Sequence, residues 1–390
     1  MKKLVLAVVT FCFIAFSVVP TALAKEPEYP RLSLNEAIEK AVFQSEAVKK
    51  AGVEIERTEA LREESADQLK FTPVEGNNYN PQVEAAWASL LQADLTWQMA
   101  KKSYDARLDG IALDVCQLYW DVLKAEEKVK VKEVAVEKAR LDLQRSLTAS
   151  RLGLVAMVTQ SDSKGGTGSA YMASSQAEAN LGRAEGDLAA ARNELDKAYT
   201  KLNQMVGLWP EDRPDLVDEI DFSPLEVGDL EIEVSRALER NPSVWLAQQG
   251  AELQKYLQDL LWAKGQYTPY DAREAEREQA ELEAIDAKEA AKILVRDLYY
   301  TLKTLEESYK SAEIGFALAE EDLEASKQMY LAGLTTKADV VSAEAFLAGE
   351  RQLLKELAAQ YSYTKLVFQK PWAPMYSTLG SSGGSSSTGK

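Results

Sequence analysis

The chain has 390 residues, with 62 acidic against 45 basic side chains and no histidine, for a formal net charge of −17 at pH 7. Such acidity argues against a nucleic-acid or anionic-membrane partner. The lack of histidine removes the commonest general base and metal ligand.

Residues 1–24 read as a secretory signal peptide: Lys2 and Lys3, an apolar run from Leu4 to Val19, then the small-x-small site Ala22-Leu23-Ala24. The run falls short of the roughly 20 residues that a spanning helix needs, and no longer apolar run follows. The reading is therefore an exported protein of the cell envelope. Cys12 leaves with the leader, so Cys116 has no disulfide partner and reads as a small buried hydrophobe.

Repeat 1 occupies residues 25–207. Arg31-Leu32-Ser33-Leu34 opens a first helix, with Ser33 and Glu36 in capping-box spacing, and the helix runs to about Leu69. Phe71-Thr72-Pro73 ends it, because proline cannot continue a helix. Residues 74–81 form a loop by composition. A second helix then runs from about Gln82 to Arg151, roughly 100 Å at 1.5 Å per residue. It carries a heptad seam: Ile111, Val115, Leu118, Val122, Ala125, Val129, Lys132, Val136, Ala139, Leu143. A seam this long keeps one side of a helix against a partner helix. Gly153-Leu154 breaks the helix, a Gly/Ser-rich turn follows, and a third helix returns from about Tyr171 to Val206.

Residues 208–229 hold Pro210, Pro214 and Pro224 among many acids, and read as an irregular connector. Repeat 2, residues 230–370, then echoes the first. Leu230 and Ala237 match Leu34 and Ala41 at an offset of 196, as Tyr267-Thr268-Pro269 matches Phe71-Thr72-Pro73. The seam recurs at an offset of 180 as Val295, Leu298, Leu302, Leu305, Tyr309, Ala312, Phe316, Ala319 and Leu323, and Gly333-Leu334 falls on Gly153-Leu154. Tyr363-Thr364-Lys365-Leu366 matches Tyr199-Thr200-Lys201-Leu202 at 164. From Pro371 to residue 390 the composition reads as a disordered tail. The fold class is all-α: two tandem repeats of long, antiparallel, coiled-coil-like helical hairpins.

The ordered set resembles the TolC family of outer-membrane efflux proteins. It comprises Leu34-x-x-Ala37-Ile38 and its copy, Asn241-Pro242, the breaks at Pro73 and Pro269, and the two glycine tips with Asp339-Val340 and Ala343 after the second. The resemblance covers about Leu32 to Phe368. It implies a homotrimeric helical tube, with a membrane-fusion adaptor meeting the tips and an inner or cytoplasmic membrane pump supplying solute. Family members carry barrel hairpins after the proline breaks. Here those breaks are too short for membrane strands, which need about 9–11 residues each. The expectation is a TolC-like α-barrel protomer without the β-barrel.

The resemblance also implies site residues. Asp339 matches an aspartate that lines the closed end of the tube, and Tyr330 a tyrosine that locks it. Ser342, Thr335 and Thr159 stand where the family has further gating residues. Asp339 also suits a cap for the return helix. Gly153, Leu154, Gly333 and Leu334 form the turns at which an adaptor would dock. Carboxylates fall beside Lys and Arg on helix faces, as solvated helices require. No nucleophile, phosphate-loop or metal-ligand motif occurs, so no enzyme activity, cofactor or metal is expected. Two functions remain open: a passive efflux conduit, or a non-conducting structural or adaptor-like envelope protein.

Overall fold

The computed structural model describes residues 30–71, 81–151, 168–226, 228–264 and 270–378. The leader, both Thr-Pro breaks, Thr159, Gly153-Leu154 with the Gly/Ser-rich turn, and residues 379–390 lie outside the described residues.

Chain order begins with β1 (Arg31–Leu32), α1 (Leu34–Gln44), α2 (Glu46–Phe71), α3 (Pro81–Arg151) and α4 (Gly168–Val206). It continues with β2 (Asp215–Leu216), α5 (Leu230–Arg240), α6 (Pro242–Lys264), α7 (Tyr270–Leu331), α8 (Lys337–Gln369) and a 3-10 turn (Ala373–Tyr376). The same order, two shorter helices, one very long helix and a return helix, therefore occurs twice. α3 spans 71 residues and α7 spans 62.

Helix packing makes a single layer. α3 packs against α4 and α8, and α8 against α7, so one half of the layer reads α4–α3–α8–α7. In the other half α2 packs on α3, α3 on α6 and α6 on α7, in the order α2–α3–α6–α7. The long helices α3 and α7 run through both halves, and the end of α1 meets the end of α4, where Gln44 lies against Gly207. The seam residues form the contacts. Ile111, Val115, Leu118, Val122 and Val136 are buried on α3, and Val295, Leu302, Leu305, Ala312, Ala319 and Leu323 on α7.

Three sequence expectations need correction. The first helix does not run unbroken to Leu69. Ser45 ends α1, where its N–H donates to the Ala41 carbonyl at 2.9 Å, and starts α2, where its hydroxyl accepts from the Val48 N–H at 3.3 Å. Asn241 does the same between α5 and α6, accepting from Ser243 N–H at 2.9 Å. The two breaks stand 196 residues apart, the offset at which Leu230 and Ala237 match Leu34 and Ala41. Next, Arg31-Leu32, just ahead of the Ser33 cap, forms a strand. It pairs in parallel with Asp215-Leu216, giving the connector a two-residue ladder where none was read. Last, residues 371–378 are no tail, because they pack back onto α3.

The extra stretch of repeat 1 through Trp87, Leu90 and Leu91 is helical, as the sequence indicates. Only residues 72–80 separate α2 from α3, and only residues 265–269 separate α6 from α7. Two membrane strands and their turn require about 20 residues, so neither gap can hold a barrel hairpin. Among the described residues no helix is long and apolar enough to cross a membrane.

Candidate functional site

The second tip is built from backbone geometry. α7 stops because Gly333 adopts φ +74°, a left-handed conformation costly for any residue with a Cβ. Leu334 N–H then donates to the Met329 carbonyl at 2.9 Å, and Gly333 N–H to that of Tyr330 at 3.0 Å. This is the paired closure of a glycine C-cap, satisfying carbonyls that the helix end leaves open.

Asp339 starts the return helix. Its Oδ2 accepts from Thr336 N–H at 3.0 Å and from the Thr336 and Thr335 hydroxyls, both at 2.7 Å. Arg145 of α3 lies 3.5 Å from its other oxygen. The Thr336 hydroxyl first, then Thr335, hold its carboxyl down to about 2. Asp339 is therefore a cap and a tie to α3, and it is ionised throughout the physiological range. Heptad spacing from Leu323 would put Tyr330 in the seam, yet its ring is 46% exposed. Met329, Leu331 and Leu334 are exposed beside it, which makes the tip an apolar knob. Lys337 pairs with Glu137 at 3.3 Å, a second tie between α8 and α3. Of the four adaptor-turn candidates, Gly153 and Leu154 lie outside the described residues.

A second centre lies at the waist, where the end of α1 meets the end of α4, and sequence reading missed it. The connector crosses one face of the layer there as a belt. Tyr119, fully buried, donates to the Leu32 carbonyl at 3.0 Å and accepts from Asp218 N–H at 3.0 Å. Tyr361, also fully buried, accepts from Leu225 N–H at 2.7 Å and donates to Glu306 Oε1 at 3.0 Å. Burial, then Glu306, pushes the Tyr361 phenol up to about 12, so it stays protonated. Burial pushes the Glu306 carboxyl up, but bonds from Lys303 and Tyr361 outweigh it and hold the group below its ordinary value. Phe222 of the belt stacks on Tyr309 at 3.7 Å. Half of the signal was present in the sequence: Glu126 and Glu306 stand at the same 180-residue offset as the seam, and each accepts from a tyrosine of its return helix, Tyr199 and Tyr361, although Tyr363 is the residue aligned with Tyr199.

The opposite side of α3 receives residues 370–378. Asp114, 1% exposed, accepts from the Ser377 hydroxyl and from the N–H and hydroxyl of Thr378, the latter two at 2.7 Å. Asp109 accepts from Lys370 and from Trp372 Nε1. Gly110 makes the approach possible, since a Cβ there would lie 2.7 Å from the Tyr376 carbonyl carbon.

Burial raises the Cys116 thiol to about 11, which removes it as a nucleophile at neutral pH. Among the described residues no group of three or more His, Cys, Asp or Glu is placed to hold a metal.

Solved structures with this architecture include outer-membrane proteins and channels. CusC, described for its folding and transmembrane channel formation, matches with a TM-score of 0.62 at 12% identity over 89% of this chain and 93% of its own. VceC of Vibrio cholerae gives 0.55 at 15% over 89% and 96%. The open state of the Neisseria gonorrhoeae MtrE channel gives 0.57 at 13% over 89% of each chain. No protein-family model matches the sequence, and no curated protein does. At such identities the likeness establishes the fold alone: this chain has a TolC-like helical architecture.

Proposed function

We propose that this chain is the wall subunit of a TolC-like efflux conduit in the cell envelope, closed into a tube by copies of itself. It acts passively, not as an enzyme, and works with a pump and with an adaptor that meets the tips. The observation that carries this reading is the open helical layer with two unlike edges. On α7, Ile293, Tyr300, Ile314 and Leu318 are 57–64% exposed and follow steps of seven, fourteen and four, so they share one face. On α4, at the other edge, the exposed residues Ala179, Gly182, Gly186 and Ala190 follow steps of three and four. Bulky side chains at one edge and small ones at the other suit a head-to-tail contact between copies. Such a contact generates a ring when its rotation closes. An apolar stripe of this length is also poorly suited to a free monomer. The family resemblance supplies the number three and the partners. The exposed Met329, Tyr330, Leu331 and Leu334 offer the adaptor an apolar knob, with Gly153-Leu154 as the first turn.

The lack of room for a membrane hairpin favours a second reading, a non-conducting structural or adaptor-like protein. Mass and shape of the purified mature chain separate the two. The conduit requires a trimer with an open lumen in electron micrographs, and Tyr300→Glu with Ile314→Glu should reduce it to monomers. A wild-type chain that sediments as an elongated monomer at micromolar concentration would overturn the conduit.

A further inference from the structure

A groove of about 550 Å³ runs along α3 between α4 and α8 at the waist. It lies on the face opposite the belt. Val115, Tyr119 and Val122 of α3 point to the buried core beneath the belt, whereas Gln117, Asp121, Lys124 and Lys128 line the groove. A shift of two residues is more than half a turn of helix. On α8, Tyr361, Ser362 and Lys365 hold the belt, while Glu356 and Tyr363 line the groove. This inference rests on the conduit reading, with the belt taken as the outer face and the groove as the inner one.

The lining has a definite chemistry. Trp120, 8% exposed, and Tyr363 supply aromatic surface. Both lysines are neutralised locally, Lys124 by Asp121 at 2.7 Å and Lys128 by Glu194 at 2.5 Å. Glu356 is different. Its Oε1 accepts from the neutral Gln352 amide at 2.7 Å, and it has no ion-pair partner among the described residues. The groove therefore combines aromatic faces with one uncompensated carboxylate, in a chain whose overall charge is −17. Aromatic faces attract cations, and the volume falls in the range of drug-sized ligand sites. We propose that this groove is a solute-contact site for flat organic cations, the body lying against Trp120 and Tyr363 and the charge beside Glu356. An organic anion of the same size finds no free cation there.

The test uses the purified full-length mature chain and fluorescence anisotropy with two xanthene dyes of similar size, cationic rhodamine 6G and anionic fluorescein. Rhodamine 6G should bind saturably and fluorescein should not. Glu356→Gln should weaken rhodamine 6G by about three- to fivefold, as for loss of one exposed charge contact. Glu356→Lys should weaken it by about tenfold or more, since it turns attraction into repulsion. Glu356 is exposed, so neither variant should disturb folding, and circular dichroism verifies this. Failure of rhodamine 6G to bind, equal binding of fluorescein, or binding unchanged in Glu356→Lys would each overturn the proposal. Sedimentation of the same samples keeps the two ideas apart. A ring that ignores rhodamine 6G removes the groove and leaves the conduit, whereas a monomer that binds it keeps the groove and removes the conduit.

Discussion

Tyr361→Phe removes one oxygen from a fully buried side chain and tests whether the belt is stapled at the waist. Two bonds go. Leu225 N–H loses its acceptor at 2.7 Å, and Glu306 loses a donor at 3.0 Å. Glu306 keeps Lys303 at 2.8 Å, so its charge is not stranded. A bond to a charged group contributes about 1.5–3 kcal/mol, and Leu225 is only half-buried, so water can partly replace its partner. The expected local loss is therefore about 2 kcal/mol. That corresponds to roughly thirtyfold faster hydrogen exchange at the Leu225 amide. The effect has a pH signature. The Glu306 carboxyl sits below its ordinary value in the fold, so its contribution is present above the unfolded carboxylate range. It disappears as pH falls through the lowered folded value. The penalty of Tyr361→Phe should therefore shrink in acid. An unchanged Leu225 exchange rate at neutral pH would refute the staple.

Gly110→Ala and Gly250→Ala form a contrasting pair. Helix propensity alone favours alanine by about 1 kcal/mol. Nothing lies within 4 Å of a Cβ at Gly250, whereas one at Gly110 meets the Tyr376 backbone at 2.7 Å. Thermal melts should show Gly250→Ala neutral or stabilised and Gly110→Ala destabilised, with proteolysis newly admitted at residues 371–378. Gly333→Val should cost about 1–2 kcal/mol at the left-handed tip, and Gly333→Asn less, read as exchange of the Leu334 amide. Asp339→Ala should lower stability by about 1 kcal/mol through loss of the cap. In the wild type that contribution should hold above the ordinary carboxylate range and fade as pH falls toward 2, followed by exchange in the first turn of α8. Raising salt to 1 M should speed exchange at the tip before the waist, because the tip ties Arg145–Asp339 and Lys337–Glu137 are exposed ion pairs. Faster exchange at Leu225 first would count against that order.

The long helices were legible because their signal is periodic and repeated. The seam from Ile111 to Leu143 reads in heptads, and its copy reads again at a constant offset. The Ser33–Glu36 cap was legible for the same kind of reason, a local pattern with a local cause, and its reciprocal bonds are present. The break at Ser45 escaped because serine carries little helix-breaking signal alone, although alignment with Asn241 would have found it. The β1–β2 ladder is two residues per strand, too short for any alternation to show. The strap after α8 was misread because proline and serine look like disorder until a buried carboxylate, Asp114, is seen to receive them. The groove is a different case. Its walls come from three helices far apart in sequence, and Glu356 reads as one more solvated acid until its neighbours are known.

The position of the buried polar groups explains where this molecule is stiff. Where the end of α1 meets the end of α4, with Gln44 against Gly207, helix ends come together, and each end leaves amides or carbonyls without helical partners. A purely apolar core cannot satisfy them. At that level stand Asp114, Glu127, Asn203, Asp212, Asn241 and Glu306, all at most 9% exposed. Asn203 Nδ2 donates to the Asp212 and Trp209 carbonyls, and Glu127 takes Lys355 of α8 at 2.8 Å. The belt closes this level from one face and the strap from the other. Among the described residues the second tip shows no buried network of that kind; it holds a glycine cap, the bonds from Thr335 and Thr336 to Asp339, and two exposed ion pairs between α8 and α3. Local opening follows the density of buried contacts. The waist is therefore the stiff level of this molecule, and the second tip is the end at which its helices can part.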